Sequence, residues 1–188
     1  MSELPKSLKA VSLPEKDQTD RFATASELAA ECSYKIIDPD SQSIWGYISI
    51  DNTQRGPGLG GIRMVQNLSL NEIMRLTRVM TLKNSAACLP YGGAKAGIIL
   101  KSNEQVENSA YREELFEKLA DCLFELPAYA PAPDMGTNEK DIQIIHNNHS
   151  HKLGAEKHSR GGAGRPLENG GVPIDDWELT AHGLFSAA

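Results

Sequence analysis

The chain has 188 residues, 40% of them hydrophobic, which is ordinary for a globular protein and enough for one domain with a real core plus tails. Its formal net charge of -6, with nothing basic clustered, speaks against nonspecific nucleic-acid binding. No apolar run approaches the ~20 residues a membrane-crossing helix needs, so no membrane association is expected.

Residues 1–20 are polar and broken by Pro5 and Pro14, with no secretory apolar region, and are expected to be disordered or loosely attached. A globular unit is expected over 21–150, beginning with a short helix at 21–32 around Ala23, Leu28 and Ala29. Cys32, Cys88 and Cys122 are an odd number in unrelated settings, which reads as reduced thiols of a cytoplasmic protein; the sequons at Asn67 and Asn148 then carry no consequence. Strands are predicted at 34–37 and 44–50, the second alternating and rich in β-formers. Gly56 to Met64 packs four glycines into six residues, Gly56, Gly58, Gly60 and Gly61, and leads into a third strand at 63–65. Such a backbone lets a small ligand approach closely, although many hairpins look the same.

Residues 69–88 read as one amphipathic helix, with Ile73, Leu76, Met80, Lys83 and Ala87 in a single stripe. A lysine facing a core must snorkel out, pair with a buried acid, or await an anionic ligand. Next, Gly92-Gly93-Ala94-Lys95-Ala96-Gly97 sets a second lysine among residues with almost no side chain, ahead of a fourth strand at 96–100. In a poorly solvated spot its pKa falls and it can act as a base; otherwise it is a surface lysine in a turn. A helix at 108–126 places Tyr111, Leu115, Leu119, Cys122 and Leu126 on one face, with Arg112 and Lys118 outward. In Pro131-Ala132-Pro133-Asp134-Met135-Gly136-Thr137, two prolines and a glycine hold Asp134 rigidly before a helix at 137–148 that Thr137 could cap, or form a plain connecting loop. His146, His149, His151 and His158 crowd the next segment. With no cysteine or carboxylate at a recognised spacing, and with Lys152 and Lys157 beside them, they favour a solvated loop over a zinc or nickel site, His146 closing the helix. Residues 151–188 are expected to be a glycine-rich loop and the start of a linker. The whole is an α/β fold, a mixed sheet flanked by helices.

Three segments in register, GPGLGGIRM, MTLKNSAACLPYGGAKAGI and PAPDMGT, resemble the amino-acid dehydrogenases that act on glutamate, leucine, phenylalanine or valine. The resemblance runs from about Trp45 to His146 and implies the family's N-terminal substrate-binding and dimerisation domain. It places Lys83 on the substrate α-carboxylate, Lys95 on the water that attacks the imino intermediate, and Asp134 in proton exchange with the substrate amine. Backbone around Gly60 and Gly61 would line the pocket. Leu59 stands where glutamate-specific members carry a lysine for the side-chain carboxylate, so an apolar side chain is expected to be favoured over glutamate. The implied reaction is oxidative deamination of an L-amino acid to a 2-oxo acid with NAD or NADP, in a homo-oligomer. No GxGxxG follows a strand here, since Gly161-Gly162-Ala163-Gly164 reads as loop, so no Rossmann domain, no bound cofactor, no bound metal and no activity are expected of this chain alone. The alternative is a non-catalytic amino-acid-binding or oligomerisation module.

Overall fold

A computed structural model describes residues 4–14, 30–102, 107–126, 128–154, 163–174 and 176–188. Six strands form one mixed sheet: β1 (Lys9–Ser12), β2 (Cys32–Ile37), β3 (Ile44–Asn52), β4 (Gly58–Val65), β5 (Gly92–Ile99) and β6 (Tyr129–Pro133). Their order across the sheet is β1-β2-β3-β5-β4-β6. The β1–β2, β2–β3 and β3–β5 pairs are antiparallel, while β4 runs parallel to both β5 and β6. The parallel connections are made by α1 (Leu70–Ala86), between β4 and β5, and by α2 (Ser109–Phe124), between β5 and β6. Two further helices, α3 (Glu139–Lys152) and α4 (Leu179–Ala187), follow, and α4 buries none of its residues. No described helix is long and apolar enough to cross a membrane.

Alternation along the central strands divides the sheet into two faces. Ile48 and Ile50 of β3, Ala94, Ala96 and Ile98 of β5, and Ile62 and Met64 of β4 join Leu115, Phe116 and Leu119 of α2 and Ile142 and Ile145 of α3 in the main core. The opposite face carries Ser49, Gly93, Lys95 and Gly97 and is covered by α1, which packs on β3 and β5 and hardly on β4. That asymmetry leaves the α1 side of β4 less covered by the helix than the α1 side of β3 and β5.

Several expectations need correction. The segment read as loosely attached contributes edge strand β1, and Leu8 and Leu13 are buried at 6% and 5% exposure. The helix read at 21–32 lies outside the described residues, apart from its last three, of which Cys32 opens β2. Arg112 does not point to solvent but pairs with Asp141 of α3. Thr137 does not cap α3; Asn138 does, in a capping box with Asp141. His146 and His149 are helical and buried, at 4% exposure each, rather than solvated. Ala163 donates its N–H to Pro131 O (3.1 Å), so part of the glycine-rich tail lies along the outer edge of β6.

Candidate active site

The buried face of α1 is turned roughly a quarter turn from the stripe read by hydrophobicity. Ile73, Met74, Thr77 and Asn84 are buried, and Lys83 is exposed. The cause lies in the strand beneath. A Cβ on Gly93 would come within 2.2 Å of Thr81 Oγ1 and 2.3 Å of its backbone nitrogen, so glycine lets the helix backbone settle on β5. At that range short polar side chains fit and long apolar ones do not. Thr77 Oγ1 donates to Ile73 O (2.7 Å), Thr81 Oγ1 to Asp51 Oδ2 (2.5 Å), and Asn84 Nδ2 to Gly92 O (2.6 Å) with Leu59 O at 3.3 Å. Lys83 is thereby released from the core onto the helix flank, near enough to Lys95 for its charge to be felt there.

Lys95 lies in the middle of β5 on the α1 face, 4% exposed. Asp134 follows the last residue of β6, and its backbone is fixed: its N–H donates to Thr137 Oγ1 (2.9 Å), and that hydroxyl donates to Ile62 O (2.8 Å). Lys95 Nζ donates to Asp134 Oδ1 at 2.5 Å. Room for the carboxylate comes from Gly61, where a Cβ would stand 2.6 Å from Asp134 Cβ and 2.7 Å from Pro133 O. Gly60 and Gly61 are both buried within β4, and Tyr129 donates its hydroxyl to Gly60 O (2.9 Å). Leu59, 9% exposed, is registered with Gly93 and so shares the face of Lys95, two residues on.

Two participants escape sequence reasoning. Arg63, on the same face of β4 as Gly61, donates from Nε to Asp134 Oδ2 (2.9 Å) and from Nη1 to Glu72 Oε1 (2.6 Å). A signal for it exists: alternation from Leu59 and Gly61 carries Arg63 to the α1 face of the sheet. Glu72 lies in the first turn of α1, where the helix N-terminus favours an acid.

Burial pushes the Lys95 ammonium below the usual lysine range; the hydrogen bond and charge of Asp134 oppose this, and the charges of Arg63 and Lys83 reinforce it. Burial would raise the Asp134 carboxyl, but hydrogen bonds and charge from Lys95 and Arg63 prevail and hold it below the usual carboxylate range. The two directions coexist because Asp134 answers to two cations, whereas Lys95 answers to one anion and two cations. The result is an ionised carboxylate beside a lysine that gives up its proton more readily than an exposed one.

After β4, α1 opens on Ser69 with Glu72 in its first turn; after β6, α3 opens on Asn138 with Glu139 and Asp141. Acids in the first turns of these two helices disfavour an anion there, whereas α2, which opens on Asn108, carries none in its first turn. Among the described residues no three His, Cys, Asp or Glu side chains come together as metal ligands.

Residues 26–151 match the family model described as Glu/Leu/Phe/Val dehydrogenase, dimerisation domain. The NAD-specific glutamate dehydrogenase of Clostridioides difficile is 32% identical over 140 residues, covering 73% of this chain and 32% of that protein. The structure is similar to a hetero-hexameric glutamate dehydrogenase from Thermus thermophilus in its Leu-bound form, with a TM-score of 0.63 and 25% identity over 90% of this chain and 36% of that one. L-Tryptophan dehydrogenase from Nostoc punctiforme shares the fold, with a TM-score of 0.54 and 24% identity over 63% of this chain and 35% of that one. The chain thus spans about a third of the length of these proteins.

Proposed function

Since the chain belongs to the Glu/Leu/Phe/Val dehydrogenase family through its dimerisation domain, we propose that it supplies the substrate half of an NAD(P)-dependent L-amino-acid dehydrogenase. The observation that carries this reading is the ion pair of buried Lys95 with half-buried Asp134 on the α1 face of the sheet. A nicotinamide cofactor, held outside the described residues, would supply the acceptor for the hydride of the substrate Cα. The chain's own residues bind and move protons. Lys83, on the flank of α1, takes the α-carboxylate. Asp134, ionised before the ligand arrives, receives a proton from the substrate ammonium through Oδ1. Lys95, with its pKa lowered, takes a proton from the water that hydrolyses the imine. Lys95 and Asp134, 2.5 Å apart, are coupled, so each responds to the charge of the other.

For specificity we favour an apolar side chain over glutamate. The relatives named as glutamate dehydrogenases set the opposite expectation, and Leu59 turns it. A largely buried leucine two residues from Lys95 along the same face gives a γ-carboxylate no partner, and a desolvated, unpaired charge is strongly disfavoured. We further place the chain in a cytoplasmic homo-oligomer, in keeping with the dimerisation domain it matches.

Titrating the isotope-labelled chain with 2-oxo-4-methylpentanoate and with 2-oxoglutarate tests the reading. Saturable shifts at Lys95 and Asp134 are expected with the first. Lys83→Ala should weaken binding by at least about tenfold, the scale of a lost charge-assisted contact, and Leu59→Lys should shift preference toward 2-oxoglutarate. Calorimetry with NAD and NADP should register no binding. Indifference to both oxo acids, or a wild-type preference for 2-oxoglutarate, contradicts the substrate assignment; amino-acid oxidation by the pure chain contradicts the division of labour.

A further inference from the structure

We propose that Arg63 is the positioning residue of the acid: it occupies Oδ2 of Asp134 so that Oδ1 alone is offered to Lys95 and to a ligand amine, and Glu72 limits the strength of that hold. This rests on the reading of Asp134 as the proton-transfer group.

A carboxylate at the end of a strand has two equivalent oxygens and a freely turning χ2, and either oxygen could take the proton. Here the equivalence is broken. Oδ1 is 2.5 Å from Lys95 Nζ and Oδ2 is 2.9 Å from Arg63 Nε. Both cations rise from rigid strands, β5 and β4, and the backbone of Asp134 is pinned through Thr137, so the plane of the carboxylate is set from three sides. Lysine can release its oxygen by losing its proton. Arginine stays charged at every working pH, so Oδ2 remains covered throughout.

Arg63 is itself divided. Its guanidinium spends Nη1 on Glu72 at 2.6 Å and reaches Asp134 through Nε, rather than closing a two-point fork on one acid. A full fork would hold Asp134 so strongly ionised that accepting a proton becomes difficult. Sharing the cation with Glu72 tempers it. Asp134 is held directly by Arg63 from β4 and Lys95 from β5; from α1, Glu72 acts through Arg63 and Lys83 through Lys95, while Tyr129 of β6 feels the Asp134 charge.

The test follows the carboxyl carbon of Asp134 by carbon-detected NMR of the 188-residue chain as pH is varied. Arg63→Met should raise the midpoint by about one to three pH units, the span an adjacent arginine exerts, and Arg63→Lys should recover part of that rise. Glu72→Gln should leave the midpoint at or below its wild-type position. A brace that merely ties β4 to α1 predicts something else: Arg63→Met and Glu72→Gln, which break the same ion pair, would act alike on folding and leave the Asp134 midpoint unmoved. That outcome, or a rise in both variants, overturns the proposal. Because no ligand is added, the result is independent of whether the chain binds a 2-oxo acid, so failure of the positioning role and failure of the functional reading are told apart.

Discussion

Gly61→Ala should damage the site more than the fold. The added methyl would stand 2.6 Å from Asp134 Cβ, 2.7 Å from Pro133 O and 3.2 Å from Asp134 Cγ, against the roughly 3.5–4.0 Å at which carbon atoms rest. About 1 Å must be recovered. β4 lies between β5 and β6 and cannot recede, whereas Asp134 follows the end of β6, so the displacement falls on the acid. Overpacking of this kind costs about 1–3 kcal/mol. The same movement lengthens the bonds from Lys95 (2.5 Å) and Arg63 (2.9 Å), whose reach is fixed by their own strands. Urea unfolding should show a midpoint loss with unchanged slope, and the Asp134 carboxyl should titrate closer to an ordinary aspartate. Gly183→Ala is the control, since a Cβ there meets nothing within 4 Å. If Gly61→Ala unfolds like wild type and keeps the Asp134 titration, crowding against the acid is not why β4 carries a glycine at that position.

Two further outcomes follow from buried groups on α3. Burial, with the charges of Arg165 and His149, pushes His146 down to about 4, while its Nε2 is buried without a hydrogen-bond partner. The unfolded chain, with an ordinary histidine near 6.5, binds the proton first. Stability is therefore full above about pH 6.5 and declines as pH falls toward 4, by on the order of 3 kcal/mol at 1.36 kcal/mol per pH unit. Melting measured from about pH 7 to about 4.5, the window in which the unfolded histidine takes its proton, should fall less steeply in His146→Leu; equal slopes would refute the assignment. Arg112→Met should cost about 3–5 kcal/mol in denaturant unfolding, because it strands Asp141, whose side chain is 5% exposed, beneath the capping box. Lys118→Met, which breaks a pair within one turn of α2, should cost under about 0.5 kcal/mol, and comparable losses in the two would contradict the distinction.

Legibility in the sequence follows the kind of force at work. β3 is readable because alternating Ile48 and Ile50 face one core, and α2 because Leu115, Leu119 and Cys122 recur at helical spacing. β1 is not: four residues at a sheet edge, KAVS, offer almost no period to detect. β6, with the sequence YAPAP, reads as a rigid loop because prolines argue against a strand. It is the edge strand of the parallel half, where alternate positions need no donor toward a neighbour, and this is where the chemistry of proline permits one.

The site divides along the same line. Lys95 and Asp134 stand out because each is charged among residues that cannot shield it, and the structure brings them to 2.5 Å from 39 positions apart. Lys83 is misplaced by its stripe for a reason that applies to any helix resting on glycines. A stripe drawn from hydrophobicity assumes that the opposing surface is made of side chains. Where it is Gly93, the helix is drawn down to backbone contact, and threonine and asparagine supply the buried face through hydrogen bonds to strand carbonyls and to Asp51. The apolar residues Val79 and Leu82 are then left outward, at 55% and 62% exposure, and the lysine next to Leu82 leaves the core with them. The cost of burying an unpaired ammonium is therefore never incurred at Lys83. It is incurred at Lys95, where Asp134 offsets it, and a base of lowered pKa needs that burial while a carboxylate-binding cation does not.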